Sequence, residues 1–131
     1  MKTKIIFLTT EQVLFTHIRA IKRFGGSHGI RDLGLVESAV GRPKSTFGGK
    51  YLYMSLFDKA AALLQSLLKN HPFVDGNKRT ALTSASVFLK KNGYKLINNH
   101  KEEVEFTVRV DNGNLTVEQI SKWLKLHSVK I

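Results

Sequence analysis

Pro72 and Gly76 interrupt what would otherwise be one long apolar helical run, and that interruption constrains the chain more than any other feature. Before it, Ser55 and Asp58 have the form of a helix start. They lead into Phe57, Ala60, Ala61, Leu64 and Leu68, with Leu63 and Leu67 in a neighbouring row. A helix from about Leu56 to Lys69, apolar over so much of its circumference, belongs in the middle of a helical bundle. After the interruption, Ala81, Leu82, Ala85, Phe88 and Leu89 resume the helical period, and Ala81, Ser84, Ala85 and Ser86 are small enough for close packing. Asn92-Gly93 supplies the stop.

The remaining segments fit around this pair. Thr9 and Gln12 form a capping box before Leu14, Ile18 and Ile21, which share one face and predict a helix from about Thr10 to Arg23, ended by Gly25-Gly26. His17, one turn from Val13 and Ile21, reads as a packed histidine and not a ligand. Asp32 can cap a short helical patch through Val40, closed by Gly41-Arg42-Pro43. From Pro43 to Lys50 no helical period is found; the glycines, lysines and Phe47 favour a flap over a plain connection. Glu102 to Val110 is ambiguous. Val104, Phe106, Val108 and Val110 alternate like a half-buried strand, yet such a strand has no evident partner unless Lys95 to Asn98 pairs with it. Thr116 and Gln119 cap a last helix carrying Val117, Ile120, Trp123, Leu124 and Leu126, with Trp123 as a core anchor. One domain over residues 1–131 is expected from this length.

Charge and cysteine content narrow the function classes. A formal net charge of +11 attracts polyanions and acidic proteins alike, although the lysines form no single tract. The absence of cysteine excludes a disulfide framework, a thiolate zinc site and a cysteine nucleophile, and suits a reducing cytoplasm. The basic and apolar start, Met1 to Leu8, is short and is interrupted by Thr9-Thr10-Glu11-Gln12, so neither a signal peptide nor a membrane span is expected.

The interruption itself is where chemistry concentrates. His71-Pro72-Phe73-Val74-Asp75-Gly76-Asn77-Lys78-Arg79 combines a histidine, a carboxylate, a glycine turn, an amide and two adjacent cations. The helix starting near Gly76 offers free backbone N–H groups and a positive dipole end to an anion, phosphate above all. Phosphoryl chemistry needs such donors, a metal ligand and a group that takes a hydroxyl proton. His71 can be the base, Asp75 a hard-oxygen ligand for Mg²⁺, and Gly76 and Asn77 the cradle, with Lys78 and Arg79 complementing the charge. Residue by residue, plain structural roles would suffice: His71 and Asp75 as helix caps, the two cations as surface. The set at this spacing favours a site.

At these residues the chain closely resembles the Fic/Doc superfamily, whose signature has the form H-P-F-x-x-G-N-x-R, and within it the Doc (death-on-curing) branch, which carries N-K-R in place of N-G-R. The resemblance extends to Gly29-Ile30-Arg31-Asp32, Gly41-Arg42-Pro43, Thr80-Ala81-Leu82, Phe88-Leu89 and Asn92-Gly93, and so covers about Leu8 to Trp123. It implies an all-α fold with the signature loop between two central helices, which tips Glu102 to Val110 toward helix. It also implies a toxin of a type II toxin–antitoxin pair, a kinase that moves the γ-phosphate of ATP to a threonine of elongation factor Tu and blocks translation. By the resemblance His71, Asp75 and Lys78 are the catalytic set, Asp75 holds Mg²⁺, and Gly76, Asn77, Lys78 and Arg79 bind ATP phosphates. Lys69 and Thr83 stand where Doc has an arginine and an asparagine and by the same resemblance join the nucleotide- and phosphate-binding set, and Leu82 replaces the second arginine of N-G-R-x-x-R proteins. A lysine in place of the signature's glycine fills the backbone cradle that would hold the diphosphate of an AMP donor. That favours phosphoryl transfer over the AMP transfer usual in Fic proteins. The resemblance further implies an antitoxin; a small, acidic, partly disordered one would suit the charge. A basic RNA-binding or RNA-cleaving inhibitor is the alternative of another class, but the motif lacks a second well-placed histidine and the sequence lacks an aromatic platform.

Overall fold

A computed structural model describes residues 4–131, so Met1, Lys2 and Thr3 of the basic N-terminal run lie outside the described residues. Six α-helices dominate the described residues: α1 (Thr10–Phe24), α2 (Leu33–Gly41), α3 (Leu56–Lys69), α4 (Asn77–Lys91), α5 (His100–Asn112) and α6 (Val117–Leu126). The fold is the expected compact all-α bundle. α3 runs through its centre and packs against α2, α4, α5 and α6. Ala60, Ala61, Ala62, Leu63, Leu64, Leu67 and Leu68 are all buried, so no face of α3 is left to solvent over that stretch. Ala60 and Ala61 of α3 share the core cluster with Ala81 and Ala85 of α4, and such small side chains let packed helices approach closely. Phe88, Leu89, Phe106, Ile120 and Leu124 complete the core.

Local signals fix the helix ends. The Thr9–Gln12, Asn99–Glu102 and Thr116–Gln119 capping boxes are all formed, and Asp32 and Ser55 cap α2 and α3. The stretch from Pro43 to Lys50 holds a short 3₁₀ turn, Arg42–Lys44, and a hairpin of β1 (Thr46–Phe47) and β2 (Lys50–Tyr51). Gly48 and Gly49 both adopt positive φ, the conformation a two-residue hairpin turn requires. Lys59, buried in α3, pins the hairpin's far end: its Nζ donates to the carbonyls of Tyr53 and Met54 and lies 4.2 Å from the Tyr51 ring. Burial lowers its pKa.

Two expectations, for Ile18 and Leu126, are corrected, and the open reading of Glu102 to Val110 is settled as the helix that the resemblance implied. The buried face of α1 is Val13, His17, Ala20 and Ile21; Ile18 is 44% exposed, because the core lies on the His17 side of the helix. Glu102 to Val110 is helical, and its alternation is accidental: Phe106, Thr107 and Val110 form the buried stripe while Val104 and Val108 face outward. The partner proposed for a strand there is taken up elsewhere, since β3 (Tyr94–Leu96) pairs antiparallel with β4 (Ser128–Lys130). Trp123 stacks on Phe106 at 3.8 Å as an anchor, but Leu126 is exposed.

These placements separate two leucine-like sites of equal hydrophobicity. Leu64→Ala, at a fully buried position, is expected to cost about 2 to 5 kcal/mol in urea unfolding. Ile18→Ala is expected to change stability by less than about 0.5 kcal/mol in the same measurement.

Candidate functional site

The loop from α3 to α4 is built from backbone that must be restrained. His71 has φ 47, a left-handed conformation that a side chain disfavours by about 1 to 2 kcal/mol. Arg31 holds it: Nε donates to the His71 carbonyl at 2.6 Å and Nη2 to the Asn70 carbonyl at 2.6 Å. The chain around Arg31 runs alongside the loop, with the N–H groups of Arg31 and Asp32 donating to the Pro72 carbonyl and that of Val74 to the Gly29 carbonyl. Gly29 leaves room for Val74, since a Cβ there would come within 2.7 Å of the Val74 Cγ2 methyl and force it to shift.

Two buried polar side chains close the loop from beneath. Asn77 accepts from the Phe73 N–H at 3.0 Å and donates to the Phe73 carbonyl at 2.9 Å, so its amide is committed to the loop. Any contribution Asn77 makes to an anion therefore comes through its backbone N–H. His17 donates from Nε2 to the Asp75 carbonyl at 2.8 Å and stacks on Phe73 at 3.8 Å. Burial depresses its pKa, against that hydrogen bond. It is the packed histidine expected, and it also ties α1 to the loop. Gly76 takes φ 78 at the N-cap of α4, where a Cβ would press on Ile21 at 3.0 Å. No side chain caps α4, which leaves its first N–H groups available to a ligand.

Asp75 does not cap α4 either. Its Oδ2 accepts from the Ser27 N–H at 2.7 Å, and the residue is exposed. Among the described residues no group of three or more His, Asp or Glu side chains could hold a metal alone. A cation at Asp75 would thus be held by one carboxylate with phosphate and water oxygens, an arrangement that fits Mg²⁺.

The two signature cations diverge, as consecutive helix residues lie about 100° apart around the axis. Lys78 points to the His71 side, where its Nζ is 3.5 Å from Asp111 Oδ2. His71 Nε2 meets the other oxygen of the same carboxylate at 2.9 Å. Arg79 points the opposite way, 3.4 Å from Glu103 and over the Phe24 ring at 4.4 Å. With Thr83 it lines a groove of about 900 Å³ between α1, α4 and α5, which also contains Phe15, Arg19 and His100. Lys69 joins neither side: its ammonium donates to the carbonyls of Asp111 and Gly113 at the end of α5. His71 and Lys78 thus meet beside the start of α4, Asp75 lies against Ser27 just after α1, and Arg79 and Thr83 line the groove.

Arg31 and Asp111 are the residues that reading the sequence left without a role. Arg31 carried the weak signal of its Gly29-Ile30-Arg31-Asp32 setting; the run Asp111-Asn112-Gly113-Asn114 reads as a turn in the sequence, whereas Asp111 lies in the last turn of α5. The hydrogen bond from His71 is the main cause holding the Asp111 carboxyl below its ordinary range, helped by the charges of His71 and Lys78 and opposed by burial.

Residues 7–89 match the family described as the Fic/DOC family. Over 73 residues the chain is 56% identical to Toxin Doc of Mycolicibacterium smegmatis, a stretch covering 56% of each protein. Over 118 residues it is 31% identical to Protein kinase doc of Escherichia phage P1, covering 90% of this chain and 92% of that one.

Asn77→Ala strands a buried N–H and a buried carbonyl of Phe73, and is expected to cost about 1 to 3 kcal/mol for each group by denaturant unfolding. Asp111 sets a pH signature. A carboxyl depressed in the fold contributes stability that is complete above its unfolded value of 3.8 and is lost as pH falls through the folded value. The gap in urea midpoint between the native chain and Asp111→Ala is therefore expected at pH 7 and should close below pH 3.8.

Proposed function

The chain belongs to the Fic/DOC family, and on that footing we propose that it is a Doc-type toxin that transfers the γ-phosphate of ATP to a protein hydroxyl. The observation that carries the proposal is the meeting of His71 and Lys78 at the uncapped start of α4. The free N–H groups and dipole of that helix suit a phosphate, and Lys78 adds a full charge beside it. His71, half exposed on the same side, is available to take the proton of an incoming hydroxyl. Asp75 would hold Mg²⁺, which supplies charge neutralisation and fixes the phosphate geometry when bound. Arg79 and Thr83 would contact the nucleotide from the groove side. The Lys69 ammonium, spent on α5, would support the site without touching ATP.

On this proposal the acceptor is a threonine of elongation factor Tu, and the consequence is arrest of translation in the cytoplasm. No helix among the described residues is long and apolar enough to cross a membrane. The control partner would be an acidic, partly disordered antitoxin, drawn by the net charge of +11.

Incubating the protein and a bacterial lysate with ATP labelled on either the α- or the γ-phosphate tests the reaction. Protein-bound label is expected from the γ position alone, with a labelled threonine in elongation factor Tu by mass spectrometry. His71→Ala is expected to lower the rate by about 10² to 10⁴-fold. Label arriving from the α position would instead establish AMP transfer.

A further inference from the structure

We propose that Asp111 is a positioning residue for His71, forming with it a carboxylate–imidazole pair that orients the ring and stabilises the charge it acquires. The inference rests on the reading of His71 as the base. The side chain of Asp111 bonds His71 and Lys78 and, among the described residues, nothing else. It caps no helix, since the C-cap of α5 is Gly113, and it fills no part of the core. A side chain spent wholly on two signature residues serves the site and not the core.

Its mount is firm. Asp111 lies in the last turn of α5, next to the buried Val110, and its carbonyl is gripped by Lys69 at 3.1 Å. The carboxylate is 20% exposed, so its contact with His71 is partly shielded from water. The backbone of His71 is fixed from the other side by Arg31. Ring and backbone are thus held independently, which a reactive geometry requires.

The contact also selects a tautomer. A carboxylate only accepts, so the neutral ring carries its proton on Nε2 and leaves the lone pair on Nδ1. The acceptor hydroxyl would give its proton to Nδ1 while its oxygen forms the new bond to the γ-phosphorus. The bond to the bridging oxygen breaks, and ADP leaves with that electron pair. The imidazolium so formed faces a carboxylate oxygen at 2.9 Å, where charge develops against a prepared counter-charge. The charged groups around the ring are Asp111 from α5 and Lys78 from α4, with Arg31 on the His71 carbonyl and Lys69 of α3 on the Asp111 carbonyl. Asp111 is the anion among them.

The test measures initial rates of γ-label transfer from ATP into precipitated lysate protein, across ATP concentration and pH, at a temperature where circular dichroism shows every variant folded. Asp111→Ala is expected to lower the maximal rate by about 10²-fold, with the KM for ATP changed by less than about threefold. Asp111→Asn keeps an acceptor but removes the charge; it should lose about tenfold and move the acid limb of the rate profile to lower pH. Asp111→Glu should recover part of the loss. Native rates in both Asp111→Ala and Asp111→Asn, with His71→Ala inactive, would overturn this inference alone. So would a rate loss with an unmoved acid limb, the mark of a merely structural role. A fully active His71→Ala would overturn the reading of the base and this inference with it.

Discussion

The site depends on a backbone held against its own preference. A histidine at φ 47 is not stable by itself, and what keeps it there is the guanidinium of Arg31 on two successive carbonyls. Those carbonyls belong to the residues just past α3, where the negative end of the helix dipole lies, so a cation is favoured there twice over. A few residues later the chain enters α4 at its positive end. The loop therefore joins two opposite helix poles, with a cation stationed at one and a place for an anion at the other. Lysine at position 31 would supply the charge but not the fork that reaches both carbonyls at once.

The excess of positive charge is more disciplined at the site than the composition suggests. Lys78 is matched by Asp111 and Arg79 by Glu103, while Lys69 is spent on backbone oxygens. A phosphate entering at the start of α4 must therefore compete with carboxylates. The long 3.5 Å contact of Lys78, on a half-exposed side chain, is one it can displace. Non-specific polyanions gain little from cations already matched in this way. A ligand that also bonds the free helix N–H groups gains from both, so the pairing favours a compact phosphate over a diffuse polymer.

What could be read from the sequence was what is decided locally. The Thr9–Gln12 and Thr116–Gln119 capping boxes, the bounds of α3 and the Gly76 turn each depend on residues a few positions apart, and each was legible for that reason. The buried face of α1 was not, because Ile18 and His17 differ less in periodicity than in what lies opposite them: the core lies on the side of Phe73, over which His17 stacks. In α5 two periods coincided, and only the docking of Phe106 on Trp123 decides between them. Asp111 was illegible in principle. It sits 40 positions from His71, in a stretch that resembles an ordinary turn, and its role arises from where α5 ends beside α4.

Position 78 shows how such tertiary placement bears on the choice of chemistry. Helical geometry alone sends Lys78 and Arg79 to different walls of the α4 start, so they cannot grip the same phosphate from one side. Lys78 shares its wall with His71, where on the proposed reading the acceptor hydroxyl arrives. On the proposed reading a glycine there would leave that wall open to a second phosphate against the backbone, where the lysine stem would close it and put an ammonium at the rim. On the proposed reading, the phosphate beside the base is then a terminal one, which the ammonium can reach without a chain of further phosphates in the way. The selection would come from the volume of the lysine as much as from its charge, and from the carboxylate of Asp111 that draws its stem toward His71.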